Sequence, residues 1–439
     1  MTHQSGSDES TVRRRVNESA VAFALAVVAL APLQAQERLI ERTTARAGAI
    51  YENWSFPTAV ATTAENGGAE LVAGVSQLTV PVAVVVGLAP GWTADVYGSY
   101  VRGEVRLAST ASGSASTRSH RLDGLTDTKV RITGQLAGDA LQFTAGLTLP
   151  TGATKLKSDQ LDALSVLAAP GLRLQSPVIG AGAGVTAGLI FSRELGGWAT
   201  ALGGSYEARS TYTPAEALQA GLPAGDLRPG NAVHLSLAGE HVAGALRQLL
   251  SVTADLHQHG EFREPFVAST SSSTATIAAP ASGSLGLAPS VSGTYEVSVT
   301  TRGTETALFV VGRRRGAYEV DGATVAGSAR TEVDAGAQLS RALNSTTAFR
   351  LGLDGRYQAT SSGAEGNANL ATTAGTATTG FSTAGVQAVG ATLGLRLGGA
   401  RSGTSIEPFV RGQVGRMDFR TSTSTMTGLS AGAIIAARF

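Results

Sequence analysis

The sequence predicts an all-β chain closed into a single transmembrane antiparallel β-barrel of about sixteen strands. Three observations carry that expectation. Apolar and polar side chains alternate with period two in one segment after another, as in strands with two different faces. Short turns alternate with long polar loops along the chain. No stretch reaches the length of about 20 apolar residues that a spanning helix needs. Composition agrees: only 15% of the 439 residues are charged, against about 25% in soluble globular chains. The 55 glycines are nearly twice the usual share of about 7%. A hydrophobic content of 43% excludes a disordered chain. With 34 Lys+Arg against 33 Asp+Glu there is no basic excess, so no nucleic-acid partner is expected. The absence of Cys excludes disulfides, thiolate catalysis and Cys-based metal sites.

Taken in order, residues 1–35 have the pattern of a cleavable signal peptide. Arg13, Arg14 and Arg15 supply the positive start, Ala20 to Pro32 the apolar stretch, and Leu33-Gln34-Ala35 the small-residue cleavage site. The exported remainder, 36–439, is one domain. Its sixteen expected strands are 47–56, 69–88, 92–108, 127–136, 140–149, 181–195, 198–211, 229–242, 246–258, 293–301, 305–319, 331–342, 346–358, 384–397, 404–420 and 427–439. Residues 36–66 are alternatively a segment folded into the lumen, and fourteen strands is the alternative count. The alternation is plainest over 349–358, where Phe349, Leu351, Leu353 and Tyr357 interleave with Arg350, Asp354, Arg356 and Gln358.

Connections such as Gly196-Gly197 and Arg302-Gly303-Thr304 are tight, whereas 110–124, 150–180, 211–228, 259–292, 320–330 and 359–383 are long and polar. That asymmetry fits periplasmic turns at one end and extracellular loops at the other. Within the loop 150–180, residues 157–169 have helical spacing and are ended by Pro170-Gly171, so a helix that caps or enters the pore mouth is one expectation and a plain surface helix the other. The aromatics Tyr51, Trp54, Phe56, Trp92, Tyr206 and Tyr212 lie near strand ends, where interfacial girdles form.

Parity then sorts the charges. An unpaired charge facing hydrocarbon costs about 2–4 kcal/mol at mid-membrane. The apolar set therefore faces lipid, and the lumen receives Lys129, Arg131, Glu240, Asp255, Glu296, Arg302, Glu332, Asp334, Arg350, Asp354, Arg356, Glu407 and Arg411. Such a set either stiffens the wall as ion pairs or forms a polar constriction. The expected function is passive uptake of small molecules, hydrophobic compounds among them, across an outer membrane. The alternative is a structural or adhesive barrel that acts through its loops.

No catalytic residue, cofactor or metal is expected. His257, His259 and Glu261 lack a completing ligand, and the Gly180–Gly184 cluster opens a strand rather than a phosphate-binding helix. His234-Leu235-Ser236 resembles the His-x-Ser pair of the outer-membrane phospholipase family, but parity turns both residues inward, away from lipid, and Leu237-Ala238 replaces that family's Asn-Gly.

Two further resemblances concern the barrel itself. The last strand carries apolar residues at 429, 431, 433, 435, 437 and 439 and ends on Phe439. This resembles the terminal-aromatic signature of bacterial outer-membrane proteins, which implies the barrel-assembly machinery as a partner. Gly124-Leu125-Thr126-Asp127-Thr128-Lys129, Leu149-Pro150-Thr151-Gly152 and the stretch from Gly204-Ser205-Tyr206 to Thr213-Pro214 look like a group of outer-membrane transporter barrels. That group is loosely related to phenol-pathway and hydrophobic-compound channels, which implies outer-membrane lipid and a small-molecule solute as partners.

Overall fold

The computed structural model describes residues 43–63, 69–109, 116–136, 140–176, 179–214, 216, 225–264, 281–324, 328–359, 385–398, 403–418 and 423–439. The expected signal peptide lies outside them. In chain order the strands are β1 (Thr43–Thr63), β2 (Ala69–Ala89), β3 (Trp92–Ser109), β4 (Ser116–Leu125), β5 (Thr128–Gln135), β6 (Leu141–Leu149), β7 (Gly184–Leu195), β8 (Trp198–Arg209), β9 (Asp226–Arg228), β10 (Ala232–Ala243) and β11 (Leu246–His257). They continue with β12 (His259–Glu264), β13 (Ala281–Gly286), β14 (Ser290–Thr301), β15 (Thr304–Arg315), β16 (Glu319–Val320), β17 (Ala323–Thr324), β18 (Arg330–Ala342), β19 (Thr347–Gln358), β20 (Gly385–Leu397), β21 (Thr404–Asp418) and β22 (Thr423–Arg438). One helix, α1 (Ser158–Leu167), lies between β6 and β7.

Seventeen of these strands form one antiparallel sheet. β4 and β5 pair with the upper and lower parts of β3, so together they make one stave, and the barrel has sixteen. Closure comes from β1 pairing with β22 along Thr44↔Arg438 to Ser55↔Thr427, which leaves no open edge in the membrane. The first strand is therefore a full wall element rather than a lumen segment. The stretch 116–125, expected as loop, instead extends the fourth stave as β4. β9, β12, β13, β16 and β17 form a separate small sheet at the loop end.

Chain direction and turn chemistry give the barrel two unlike ends. The start of β1, the end of β22 and the tight turns lie together; Phe439 N–H donates to Thr43 O at 3.0 Å there. Gly196-Gly197 and Arg302-Gly303 have positive φ at both central positions, the mirror-type turn whose twist matches paired strands. Arg302 thus sits in a turn, at φ 48°, and not on the lumen face. Period-two counting ran one residue past the end of β14.

Register fixes which face each side chain occupies. Asp334, Arg356, Ala388, Gly415 and Met426 succeed one another across β18 to β22, and Met426 is fully buried. One position along, Ala335, Gly355, Val389, Val414 and Thr427 form the corresponding outer row. Leucines, valines and tyrosines dominate the exposed outer rows elsewhere, among them Leu189, Phe191, Leu202, Leu235, Leu308 and Val310. Apolar side chains left exposed around a closed wall are what a hydrocarbon solvent requires. Tyr51, Tyr206 and Trp92 belong to the outer face, and Tyr212 lies in a loop bridged to Leu227. Trp54 and Phe56 do not belong to a girdle: both are 2% exposed and lie inside the barrel.

Candidate functional site: a segment folded into the lumen

Residues 152–176 and 179–181, between β6 and β7, turn into the barrel and fill part of it. The entry point is a break in the fourth stave at Thr126-Asp127. The Asp127 carboxylate accepts hydrogen bonds from Gly152 N–H at 2.9 Å and Ala181 N–H at 2.6 Å, tying both ends of the segment to one side chain. Asp127 N–H in turn donates to Ile179 O at 3.0 Å. Thr151 Oγ1 accepts from Thr128 N–H at 2.8 Å and donates to Thr126 O at 2.9 Å. The chains cross so closely that a Cβ on Gly152 would lie 2.3 Å from Ile179 O, which only glycine avoids. Lys155 and Leu156 N–H donate to Thr213 O and Pro214 O, each at 2.9 Å. The three stretches that resemble transporter barrels therefore meet at one latch.

Beyond the latch, α1 is held by both ends and one face. Gln160 Oε1 accepts from Lys157 N–H at 3.0 Å, and Asp159 in the first turn suits the positive end of the helix dipole. Ala163, Val166 and Leu167 are buried in a cluster with Leu107 and Leu122 of the wall and with Leu156, Leu172 and Leu174 of the segment itself. Trp54, Phe56 and Met426 belong to the same cluster, so the apolar inward positions of β1 and β22 receive the segment. Gly103 leaves room for Leu167, whose Cδ1 would be only 2.5 Å from a Cβ at that position. His120 Nε2 accepts from Arg118 Nε at 3.0 Å, and its Nδ1 lies 3.1 Å from Asp159 O.

The far end of the segment is held by charge. Glu52 accepts from Gln175 N–H at 2.8 Å. Arg173 adopts φ 49°, a conformation that L residues hold only when neighbours fix it, at a cost of order 1–3 kcal/mol. Its guanidinium bridges Glu332, at 3.0 Å, and Asp334. Arg313 and Arg330 reach the same two carboxylates: Arg313 lies 3.1 Å from Asp334, and Arg330 lies 2.7 Å from Glu332. Two buried acids among three guanidiniums form a network that would be costly to leave half-paired. Arg356, opposite Asp334 in register, lies over the Trp54 ring at 6.0 Å, with Nη1 buried and unpartnered among the described residues.

The remaining sequence-predicted residues line the inward face away from the segment. Arg131 pairs with Asp95 at 3.0 Å, and Lys129 lies over Tyr97 at 5.8 Å. Arg411 reaches Asp354 at 2.6 Å, Arg350 contacts Glu407, and Glu240 accepts from Arg247 at 2.6 Å. Glu296 shares this face opposite Leu249 and Phe309. Asp255 lies 2.7 Å from His234 Nδ1 and accepts from Ser290 Oγ at 2.8 Å. His234 Nε2 lies 3.2 Å from Glu207, so both ring nitrogens face carboxylates rather than Ser236. Among the described residues no group of three His, Asp or Glu side chains is placed to hold a metal ion. Glu52, Asp95, Asp127, Arg173, Glu207, Arg313 and Arg330 were missed from sequence. Glu52 and Arg173 find their partners more than a hundred residues away, and only Asp127 stood in a singled-out motif.

No protein-family model and no curated protein matches the chain. Solved structures of similar shape include a mutant of the TodX monoaromatic hydrocarbon channel, at 11% identity and TM-score 0.43 over 90% of each chain. OprB of Pseudomonas putida superposes at 11% identity and TM-score 0.42, over 92% of this chain and 96% of its own. OmpT of Vibrio cholerae does so at 9% identity and TM-score 0.35, over 90% and 98%. The first is a monoaromatic hydrocarbon channel and the last an outer-membrane protein, and likeness at this level carries nothing about cargo.

Proposed function

We propose that the chain is a passive outer-membrane channel for small solutes, narrowed at its loop end by the segment 152–181. The observation that carries this reading is the wetness of the interior. Side chains that register places inside the barrel remain half exposed: Arg131 at 55%, Arg313 at 47%, and Arg247 and Arg350 each at 44%. A wall of sixteen strands is too wide for side chains alone to fill, and the inserted segment occupies only part of the space. Ion pairs of both signs line what is left, and fixed charges at close quarters select among solutes. The segment covers the inward apolar side chains Trp54, Phe56, Leu107, Leu122 and Met426, while Leu249 and Phe309 share the remaining inward face with Glu296 and the ion pairs, so the charged lining favours water-soluble molecules. A lipid-facing wall supports residence in an outer membrane, and Phe439, 58% exposed at the closing seam, is available to the assembly machinery.

Conductance across planar bilayers tests this reading. The purified chain is expected to give steady ohmic current and to admit small solutes into liposomes. Gly103→Val should raise conductance about twofold or more. It forces a methyl into the space of Leu167, and overpacking of this kind costs about 1–3 kcal/mol, which α1 relieves by moving away. Absence of current and of flux in both proteins would contradict the channel reading. It would favour a structural barrel displaying the small sheet at its loop end.

A further inference from the structure

A barrel wall in lipid should be convex, yet part of this one is hollow. Across β18 to β22 two successive outward rows set small residues, Ala335, Gly355, Ala337, Ala391 and Gly412, beside the larger Val389, Val414, Thr427, Leu353 and Leu429. A Cβ at Gly355 or Gly412 would touch nothing within 4 Å, so the space over both is open. The result is a groove of two adjoining lobes, of about 900 and 640 Å³, which share Ala335, Gly355, Val389 and Val414. Leu353, Val389, Val414 and Tyr357, each more than half exposed, stand up around it. At the loop-ward end lies a polar row, Tyr357, Gln387 and Arg416, adjacent in register on three neighbouring strands.

We propose that this groove binds one membrane lipid, an acyl chain lying over Gly355 and Gly412 and a phosphorylated headgroup against the row of Arg416, Gln387 and Tyr357. The groove is continuous with the hydrocarbon-facing wall, so hydrocarbon is what meets it. An unfilled hollow would forfeit dispersion contacts on its lining. The polar row stands four residues above Gly412 on β21, about 13 Å along the strand, which separates a headgroup from the part of its chain in the groove. Arg416 is held to Asp418 through Nε and Nη2, at 3.1 and 3.2 Å, an arrangement that fixes the guanidinium and leaves Nη1 for a phosphate oxygen. A second copy of the chain fits less well. A two-fold contact would set hollow against hollow, and a two-fold interface must be self-complementary.

Native mass spectrometry of the detergent-purified chain, titrated with dimyristoylphosphatidylglycerol, tests the site. The wild type is expected to retain one lipid. The variant Gly355→Leu/Gly412→Leu, which fills the groove from the lipid side, should lose retention at least fivefold, whereas Ala187→Leu on the opposite outer wall should not. Arg416→Gln should weaken retention of the anionic lipid at least twofold and leave dimyristoylphosphatidylcholine unchanged. Bilayer conductance of the groove-filled variant stays at the wild-type value, which separates failure of this site from failure of the channel reading. Equal retention by wild type and filled variant, or a dimer mass abolished by filling, would overturn the proposal.

Discussion

Leu351→Arg is expected to destabilise the membrane-inserted barrel by about 2–4 kcal/mol, the cost of a cation on the lipid face at mid-depth. Leu351 stands in an outer row with Leu339, Leu393 and Val410 on adjacent strands. That row is six residues below the polar row at Gln387, about 20 Å along the strand. With strands tilted by about 40°, this is about 15 Å along the membrane normal, near the middle of the apolar band. Nothing in the row pairs with a guanidinium. Ser340→Arg is the matched control: Ser340 faces inward between Glu305 and Arg350, so the new charge meets water and a carboxylate. Refolding yield into lipid vesicles, with urea titration of the folded fraction, should separate the two variants by a factor of about thirty or more in folding equilibrium, since 1.4 kcal/mol is tenfold. Equal yields would mean that the facing of β19 is wrong.

Asp127→Ala is expected to release the lumen segment while leaving the barrel closed. The carboxylate holds Gly152 and Ala181 at once, and each hydrogen bond to a charged acceptor is worth about 1.5–3 kcal/mol. Losing both leaves two partly buried N–H groups without their acceptor, a loss on the order of 3 kcal/mol even after relaxation. Amide hydrogen exchange over 152–181 should accelerate about a hundredfold at that energy. The strand ladders of β5 and β6 should keep their protection, because Asp127 lies outside them. Asp127→Asn retains one acceptor oxygen and should fall between. Unchanged protection of the segment in Asp127→Ala would show that the buried cluster around Leu167 and Trp54 holds it alone.

The two variants probe features that the sequence reveals unequally. Alternation is local and strict, so the strand number and the facing of segments such as 349–358 can be read directly. Glycine-rich turns such as Gly196-Gly197 mark their own positions for the same reason. Arg302 shows the limit of counting by twos: the residue continues the pattern of β14, but its backbone has already entered the turn. Trp54 and Phe56 show another. Parity places them inward, and nearness to a strand end suggested a girdle. What decides is the apolar partner that arrives from Leu156 to Leu174, more than a hundred residues away. The helix α1 was visible as spacing in a loop, but its burial was not. The acids and guanidiniums around Glu332 and Asp334 gather from β15, β18 and the segment, and no local rule joins Arg173 to a strand so distant. Asp127 lay in a motif whose meaning became physical only when Gly152 and Ala181 were seen on its carboxylate.

The central claim is that a closed wall keeps apolar side chains against lipid and ionic ones in a watery lumen, and cysteine scanning of β19 tests it most directly. The chain has no native Cys, so each introduced thiol from 349 to 355 reports alone. In vesicle-inserted protein, positions 350, 352 and 354 are expected to react with a charged, water-soluble maleimide. Positions 349, 351, 353 and 355, below the polar row of Tyr357, should resist it and be labelled instead by a lipid-partitioning reagent. Reaction with the charged reagent at every position, or with the opposite parity, would contradict the account.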